Sequence, residues 1–190
     1  MQTNILICGV GGQGIVLTSK LIAAAAMEKQ MPVMSAETIG MAQKGGSVFS
    51  FLRIGDDLHC PMFPEKSADI LIGFEPAEAV RMLPYLKPDG KMVLNTHPIM
   101  PVTAALAGTD YTGREMLAYL QQHVQSLVCT DGDAACRDLG SPKVLNMVML
   151  GLAVRQNVLP FTLEDIEGTM RKTVKPQFAD LNSKALRYIP

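Results

Sequence analysis

A glycine-rich turn near the start of the sequence has the residue types and spacing to bind a phosphate group. Gly9, Gly11 and Gly14 form the pattern G-x-G-x-x-G, which follows the apolar run TNILI and precedes an apolar stretch with helical periodicity. This order predicts a strand, a glycine turn and a helix, whose unpaired N–H groups and dipole favour an anion. The candidate cofactor-binding residues of this glycine loop are Gly9, Gly11, Gly12, Gln13 and Gly14. The alternative is that the glycines only let the strand and the helix pack closely.

A second group of candidate residues follows the next predicted strand, MPVMSAE. Glu37 ends this strand 23 residues after Gly14, near the position at which dinucleotide-binding proteins place an acid for the ribose hydroxyls. The next candidates, in a polar segment that contains two adjacent glycines, are Gln43, Lys44, Gly45 and Gly46. Paired glycines let the backbone approach a ligand or a neighbouring chain, and the lysine offers a positive charge. A tight turn into the following strand is the alternative interpretation.

Several other polar residues occupy positions that suit either a binding site or a structural role. Asn95, Thr96 and His97 follow a predicted strand, although for His97 a loop histidine bonded to the backbone is the simpler interpretation. Glu75 stands at a predicted helix start, where the helix dipole favours an acid. Asn146 lies on an otherwise apolar helix, so it needs a hydrogen-bond partner if it is buried.

The sequence offers no metal site and no catalytic residue of its own. The three histidines are far apart, and the four cysteines include no C-x-x-C pair that could hold zinc or an iron–sulfur cluster. There is also no G-x-S-x-G segment of the kind that presents a hydrolase serine. We therefore predict neither metal ligands nor catalytic residues in this chain.

The elements that must position the candidate residues alternate between strands and helices. Three predicted helices close the chain, over residues 143–157, 162–173 and 176–187. The run SVFSFLRIG alternates in hydropathy and reaches a turn at residues 55–57, as a β-hairpin would. We predict an α/β fold with a single Rossmann-like, doubly wound, mostly parallel sheet, a β-hairpin insertion and a helical C-terminus. The length suits one domain over residues 1–190.

The composition indicates an ordered chain without the features of a nucleic-acid or membrane protein. Hydrophobic residues make up 48% and charged residues 18%, which suits a folded core. The formal net charge of -1 argues against a DNA or RNA partner. No apolar run approaches the roughly 18 residues that cross a bilayer, and no secretory-type leader is recognisable. We therefore expect a cytoplasmic location and no membrane contact.

Two segments, taken together, resemble a known family. GVGGQGIVLTSKLIAAAA and ETIGMAQKGGSVFSFLRIG are similar to the gamma-type subunits of the 2-oxoacid:ferredoxin oxidoreductases, most closely the indolepyruvate ferredoxin oxidoreductase beta subunits. The resemblance continues in ADILIGFEPAEAVRMLPYLKPDGKMVLNT, NMVMLGLAV and FADLNSKALRY, so it spans nearly the whole chain. Lys44 departs from the family's motif, which usually has arginine. Lysine keeps the positive charge but cannot make a planar two-pronged contact.

The resemblance implies that this chain is one part of a multisubunit, oxygen-sensitive enzyme. Such enzymes decarboxylate an aryl 2-oxoacid, pass the acyl group to coenzyme A and send single electrons to ferredoxin. Thiamine diphosphate, Mg²⁺ and the iron–sulfur clusters would lie on a larger partner subunit, and the chain would be inactive alone, with no firmly bound cofactor. The segment around Lys44 would face the thiamine site and help to seat coenzyme A or the 2-oxoacid. An isolated subunit with an exposed apolar face can also self-associate.

Two other functions fit the sequence. A self-sufficient NAD(P)-dependent dehydrogenase would bind its dinucleotide at the glycine loop and its ribose at Glu37. A non-catalytic assembly subunit would have the same fold with an empty glycine loop. Tight binding of NADH by the isolated chain would favour the dehydrogenase. Complex formation without any kinetic effect of glycine-loop substitutions would favour the assembly subunit.

Overall fold

The chain forms a mixed β-sheet with helices on both faces. A computed structural model describes residues 2–38, 45–101, 106, 108 and 110–189. The six strands of the described chain are β1 (Thr3–Val10), β2 (Val33–Glu37), β3 (Ser47–Ile54), β4 (Ala68–Gly73), β5 (Leu86–Asn95) and β6 (Ser126–Thr130). The predicted α/β fold class is confirmed.

Seven α-helices occur in the described residues. They are α1 (Ile15–Glu28), α2 (Pro76–Met82), α3 (Arg114–His123), α4 (Gly132–Asp138), α5 (Leu145–Arg155), α6 (Leu163–Thr173) and α7 (Pro176–Leu186). The three predicted carboxyl-terminal helices are confirmed as α5, α6 and α7. Helix α4 was not predicted from the sequence, because its seven residues are too few to show helical periodicity. Its start is nevertheless marked by Asp131, whose side chain accepts hydrogen bonds from two backbone N–H groups.

The strand order places most strand ends at one edge of the sheet. The order is β2-β3-β1-β4-β5-β6, in which β3 runs antiparallel to both of its neighbours. The pairs β1–β4, β4–β5 and β5–β6 are parallel. The edge at which the five parallel strands end and β3 begins is called the carboxyl edge below. Loops at this edge are where open α/β sheets bind ligands.

The antiparallel insertion differs from the predicted hairpin in the position of its turn. Residues 47–54 pair with β1 on one side and with β2 on the other, and residues 58–67 contain no strand. The insertion is therefore the pair β2–β3, and the hairpin turn predicted at residues 55–57 is wrong. Alternating hydropathy marks a strand but does not say which strand is its partner.

Each face of the sheet carries its own hydrophobic core. Ile5 and Ile7 point into a core formed with α1, α5, α6 and α7. Leu6 and Cys8 alternate with them and point into a second core that includes residues of α2 and α3. This alternation follows from the two-residue repeat of a strand, and it confirms the doubly wound arrangement.

None of the helices in the described ranges combines the length and the hydropathy that crossing a bilayer requires.

Candidate functional site at the carboxyl edge

The glycine loop and the second glycine segment lie side by side at the carboxyl edge. The backbone N–H of Gly11 donates to the carbonyl of Gly46 over 2.8 Å, and Val10 pairs with Ser47 in the ladder between β1 and β3. Gly12 is exposed with φ 106°, and a Cβ atom there would meet no described atom within 4 Å. No described residue therefore occupies the space above Gly12.

Helix α1 begins at this loop without a side-chain cap. Gly14 occupies the cap position with φ 87°, and the first turn contains no acidic residue. Helix α6, by contrast, has a capped start, because the side chain of Thr162 accepts from the backbone N–H of Asp165. The uncapped N–H groups of α1 make its start suitable for an external anion.

The predicted ligand contact Gln13 has both of its polar ends occupied within the chain. Its side-chain Oε1 accepts from the N–H of Val10 over 2.7 Å, and its Nε2 donates to the carbonyl of Phe74 over 2.9 Å. A Cβ on Gly9 would lie 2.6 Å from the same Oε1. Gln13 therefore ties β1 to the end of β4 and shapes the loop, and Gly9 makes room for it.

Asn95 extends this set of hydrogen bonds along the carboxyl edge. It is buried, its Nδ2 donates to the carbonyl of Phe74 over 3.0 Å, and its Oδ1 accepts from the N–H of Gly132 over 2.9 Å. The side-chain amides of Gln13 and Asn95 thus converge on one carbonyl group. Together they fix the ends of β1, β4 and β5 relative to the start of α4.

The other two residues of the predicted strand end are also bonded internally. The hydroxyl of Thr96 donates to the carbonyl of Thr130 over 3.2 Å. His97 is exposed, its backbone N–H donates to Asn95 Oδ1, and its Nδ1 lies 3.6 Å from a carboxylate oxygen of Asp133. The ring of His97 therefore faces the side chain of Asp133.

Glu75 is a buried helix cap, as its position at a helix start predicted. Its Oε2 accepts from the N–H of Glu78 over 3.0 Å. Its Oε1 accepts from the hydroxyl of Tyr111 over 2.5 Å and from the N–H of Ile99 over 3.4 Å. These hydrogen bonds offset the loss of hydration of Glu75, a residue that is only 1% exposed.

A second buried carboxylate, Glu78, joins α2 to the start of β3. Its Oε2 accepts from the hydroxyl of Ser47 over 2.5 Å, directly after the diglycine segment. Burial, followed by the charges of Glu78 and Glu75, raises the pKa of the Cys8 thiol well above its usual range. Burial and the hydrogen bond to Glu75 likewise raise the pKa of Tyr111. The buried carboxylates of Glu75 and Glu78 therefore lie beside the glycine loop, and together they are called the polar wall below.

Glu78 and Tyr111 were not among the site residues predicted from the sequence. An acid three residues into a predicted helix is a recognisable signal for Glu78, since the first turn favours negative charge. Tyr111 has no comparable signal, because its contact with Glu75 joins residues 36 positions apart. Only the packing of the loop after β5 against α2 brings them together.

Glu37 lies at the carboxyl edge but away from the glycine loop. Strand β3 stands between β2 and β1, so the end of β2 is two strand spacings, about 10 Å, from the glycine loop. A dinucleotide fold places the second strand directly beside the first. The inserted strand therefore separates Glu37 from the position at which it would bind a ribose.

The remaining predicted residues divide between described and undescribed parts of the chain. Gly45 is exposed with φ 79° and continues into β3 through Gly46. Gln43 and Lys44 lie outside the described residues, so their roles stay predictions. Asn146 is buried at the start of α5, where its side chain packs against Gly14: a Cβ on that glycine would lie 3.0 Å from Asn146 Cβ. The asparagine therefore contacts the glycine loop.

The chain matches a known protein family over nearly its whole length. Residues 4–189 match the family model described as pyruvate ferredoxin/flavodoxin oxidoreductase. The chain is 38% identical over 188 residues to indolepyruvate oxidoreductase subunit IorB of Archaeoglobus fulgidus. That alignment covers 98% of this chain and 93% of the relative.

Solved structures show the same fold. Pyruvate oxidoreductase subunit PORC of Thermotoga maritima is 25% identical and superposes with a TM-score of 0.69, covering 98% of this chain and 93% of the other. The 2-oxoglutarate:ferredoxin oxidoreductase of Magnetococcus marinus is 19% identical, with a TM-score of 0.72. This chain corresponds to 30% of that longer one, and the likeness there concerns the fold alone.

Proposed function

Because the chain belongs to the pyruvate ferredoxin/flavodoxin oxidoreductase family, we propose that it is the smaller subunit of a thiamine-dependent 2-oxoacid:ferredoxin oxidoreductase. The complex would convert an aryl 2-oxoacid such as indolepyruvate, with coenzyme A and oxidised ferredoxin, to acyl-coenzyme A, carbon dioxide and reduced ferredoxin. The two electrons released at the carbonyl carbon leave singly through ferredoxin. The larger subunit would carry thiamine diphosphate, Mg²⁺ and the iron–sulfur clusters. We further propose that residues 1–190 act as a single gamma-type domain.

One observation carries the role proposed for this chain's own residues. The hydrogen bond between Gly11 and Gly46 places both glycine segments beside the uncapped start of α1. Backbone N–H groups at such a position favour phosphate oxygens. We therefore propose that the glycine loop seats the diphosphate of coenzyme A at a surface that the larger subunit covers. Closing that surface would exclude water from the thiamine site of the larger subunit.

The residues of the loop fit this group. The backbone at Gly12 is exposed, and no described atom lies in the space where a phosphate would bind. Gln13 and Asn95 hold the loop in place through the carbonyl of Phe74 without using the space above it. Coenzyme A, when bound, supplies the thiol that accepts the acyl group. This chain's part is to bind and orient it.

A substitution of Gly12 tests the proposal in the complex with the larger subunit. Gly12→Ala places a methyl group in the proposed phosphate space and strains a residue with positive φ, so the KM for coenzyme A should rise about tenfold with kcat changed less. Gly55→Ala is the matched control. Gly55 has φ 124° but follows β3 at the opposite edge of the sheet, so it should lower the melting temperature without changing that KM.

Either of two results would count against a coenzyme A role for the loop. An unchanged KM in a complex that carries Gly12→Ala would favour the assembly subunit, in which the loop is empty. Tight 1:1 binding of NADH by the isolated chain, followed by fluorescence, would favour the dehydrogenase. The separation of Glu37 from the glycine loop by β3 disfavours that second alternative.

A further inference from the structure

A cavity of about 320 Å³ lies at the edge of the sheet opposite the carboxyl edge, and it is called the amino-edge cavity below. Its volume is within the range of small-molecule sites. One wall is formed by residues 89–91 of β5 and another by residues 157–160, which follow α5. Strand β1 begins beside the cavity and spans about 23 Å before it reaches the glycine loop. A ligand in this cavity would therefore not contact the glycine loop.

A bulge in β5 shapes the first wall. Between Ala68 and Ile70, β4 advances two residues while its partner strand β5 advances five. Residues 87–90 therefore project from the ladder at the mouth of the cavity. A Cβ atom on Gly90 would lie 2.6 Å from Cδ1 of Leu86, so the bulge is closely packed against the start of its own strand.

The turn that forms the second wall is fixed by backbone hydrogen bonds. Asn157 has φ 51°, and its N–H donates to the carbonyl of Val154 over 3.0 Å. The N–H of Val158 donates to the carbonyl of Ala153 over 2.9 Å. This pair of bonds is a Schellman cap, which satisfies carbonyl groups at the end of a helix. Both walls are therefore held in shape by the chain itself, as is usual for a small-molecule site.

Four charged side chains of described residues line the cavity, and two of them neutralise each other. The Nζ of Lys87 lies 2.5 Å from Oδ1 of Asp69. Asp89 and Lys91 are exposed, and neither forms an ion pair with any residue that the structure describes. The Nζ of Lys91 donates to the carbonyl of Asn157 over 3.1 Å, which leaves two of its three N–H donors available. The cavity thus presents one unpaired carboxylate and one unpaired ammonium group.

These two charges and the apolar floor of the cavity define a chemical class of ligand. The Cα atoms of Asp89 and Lys91 are two positions apart, so they lie at most about 7 Å from each other. An anion that paired with Lys91 would also face the carboxylate of Asp89, whereas a zwitterion satisfies both side chains. The floor consists of residues that belong to the core on the α1 face, Ile70, Val158 and Leu159. It favours an apolar group on the ligand.

We propose that the amino-edge cavity binds an apolar α-amino acid. The α-carboxylate of the ligand pairs with Lys91 and its α-ammonium group pairs with Asp89. Its side chain packs on Val158 and Leu159. An α-amino acid fits because it carries both charges on one carbon, beside the apolar group. The inference is independent of the proposed function, since all of these groups belong to this chain and lie at the edge away from the glycine loop.

NMR titration of the ¹⁵N-labelled full chain with L-leucine tests the assignment. The backbone signals of Gly90, Lys91 and Leu159 should shift, and those of Gly11 and Gly12 should not. 4-Methylpentanoate lacks the ammonium group and 3-methylbutylamine lacks the carboxylate, so each should bind about fivefold more weakly than L-leucine. Glycine lacks the apolar side chain and should bind about tenfold more weakly.

Two substitutions assign the charges one at a time. Asp89→Asn should weaken L-leucine about fivefold without weakening 4-methylpentanoate. Lys91→Gln should weaken L-leucine by a similar factor without weakening 3-methylbutylamine. The matched controls are Glu65→Gln and Lys184→Gln, at exposed residues that do not line the cavity, and both should bind L-leucine as the wild type does. Gly12→Ala should also leave L-leucine binding unchanged, so this inference and the proposed loop role are tested separately.

Three results would overturn the assignment. Equal affinities for L-leucine and 4-methylpentanoate would show a site for anions, without any preference for the ammonium group. Shifts at residues away from the cavity, or no shift at millimolar L-leucine, would show that the cavity does not bind an amino acid. An affinity for L-leucine that neither Asp89→Asn nor Lys91→Gln alters would show that the two charges are not used.

Discussion

Hydrogen bonds stabilise the buried carboxylates that form the polar wall beside the glycine loop. Glu75 is removed from water yet accepts from a hydroxyl and two backbone N–H groups, so its charge is compensated where it lies. The hydroxyl of Tyr111 also accepts from the N–H of Ala77 over 3.2 Å. One tyrosine therefore joins the loop after β5 to the first turn of α2.

Removing this hydroxyl should loosen that loop. Tyr111→Phe leaves an acceptor on buried Glu75 and the N–H of Ala77 without their partner, so the free energy of unfolding should fall by about 2 kcal/mol. Urea denaturation followed by circular dichroism measures the change. Tyr119→Phe is the control, because the ring of Tyr119 stacks on His123 at the surface. Equal, small effects of the two substitutions would contradict the anchoring role of Tyr111.

At the scale of secondary-structure elements, close helix packing fixes the carboxyl-terminal half of the chain. Helix α5 is buried along most of its length and contacts the end of α7 at Gly151. A Cβ at this glycine would lie 1.9 Å from the carbonyl oxygen of Leu186. The same carbonyl accepts from the Nη1 of Arg155 over 2.8 Å. The close packing of α5 on α7 therefore depends on the absence of a side chain at Gly151 and on the hydrogen bond from Arg155.

Two helical glycines allow this packing to be tested as a matched pair. Gly151→Ala would push α7 away from α5, and we expect it to lower the free energy of unfolding by about 3 kcal/mol. Gly168→Ala, in α6, meets no described atom within 4 Å and should stabilise by about 0.5 kcal/mol through helix propensity. Thermal unfolding of both variants measures the difference. Similar melting temperatures would show that α7 does not pack on α5 as closely as described.

At the scale of the whole molecule, ion pairs hold the carboxyl-terminal helices to one another and to α1. Asp165 of α6 pairs with Lys29 at 2.8 Å, and Lys172 pairs with Glu28 at 2.9 Å. Glu167 accepts from Ser183 of α7 and from the guanidinium of Arg187. These contacts place α6 between α1 and α7.

The Glu167 contacts make stability depend on pH in a defined direction. Hydrogen bonds from Ser183 and Arg187, and a further one from Arg171, lower the pKa of Glu167 to about 2. A carboxyl group whose pKa is lower in the folded state stabilises above its unfolded pKa of about 4.5 and loses that contribution as pH falls toward 2. The contribution at neutral pH should be about 1–2 kcal/mol after solvent screening.

Urea denaturation at pH 7 and at pH 2.5 isolates this contribution. Glu167→Gln should be less stable than the wild type at pH 7, and most of the difference should disappear at pH 2.5. Glu65→Gln, at an exposed turn, should match the wild type at both values. A Glu167→Gln difference that stays constant across the range would show that the carboxylate charge is not what stabilises the helices.

Local periodicity and glycine spacing were enough to predict most strands and helices and the strand, glycine turn and helix at the start of the chain, because these features depend on neighbouring residues alone. The sequence by itself also determined the role of Glu75 as a helix cap, which follows from its place at a helix start. Tertiary packing alone fixes three other features, which are the partner strands of β3, the internal hydrogen bonds of Gln13 and the contact of Tyr111 with Glu75. Each depends on which segments meet across the sheet or over its edge, and residues distant in sequence carry no local signal of where they will meet.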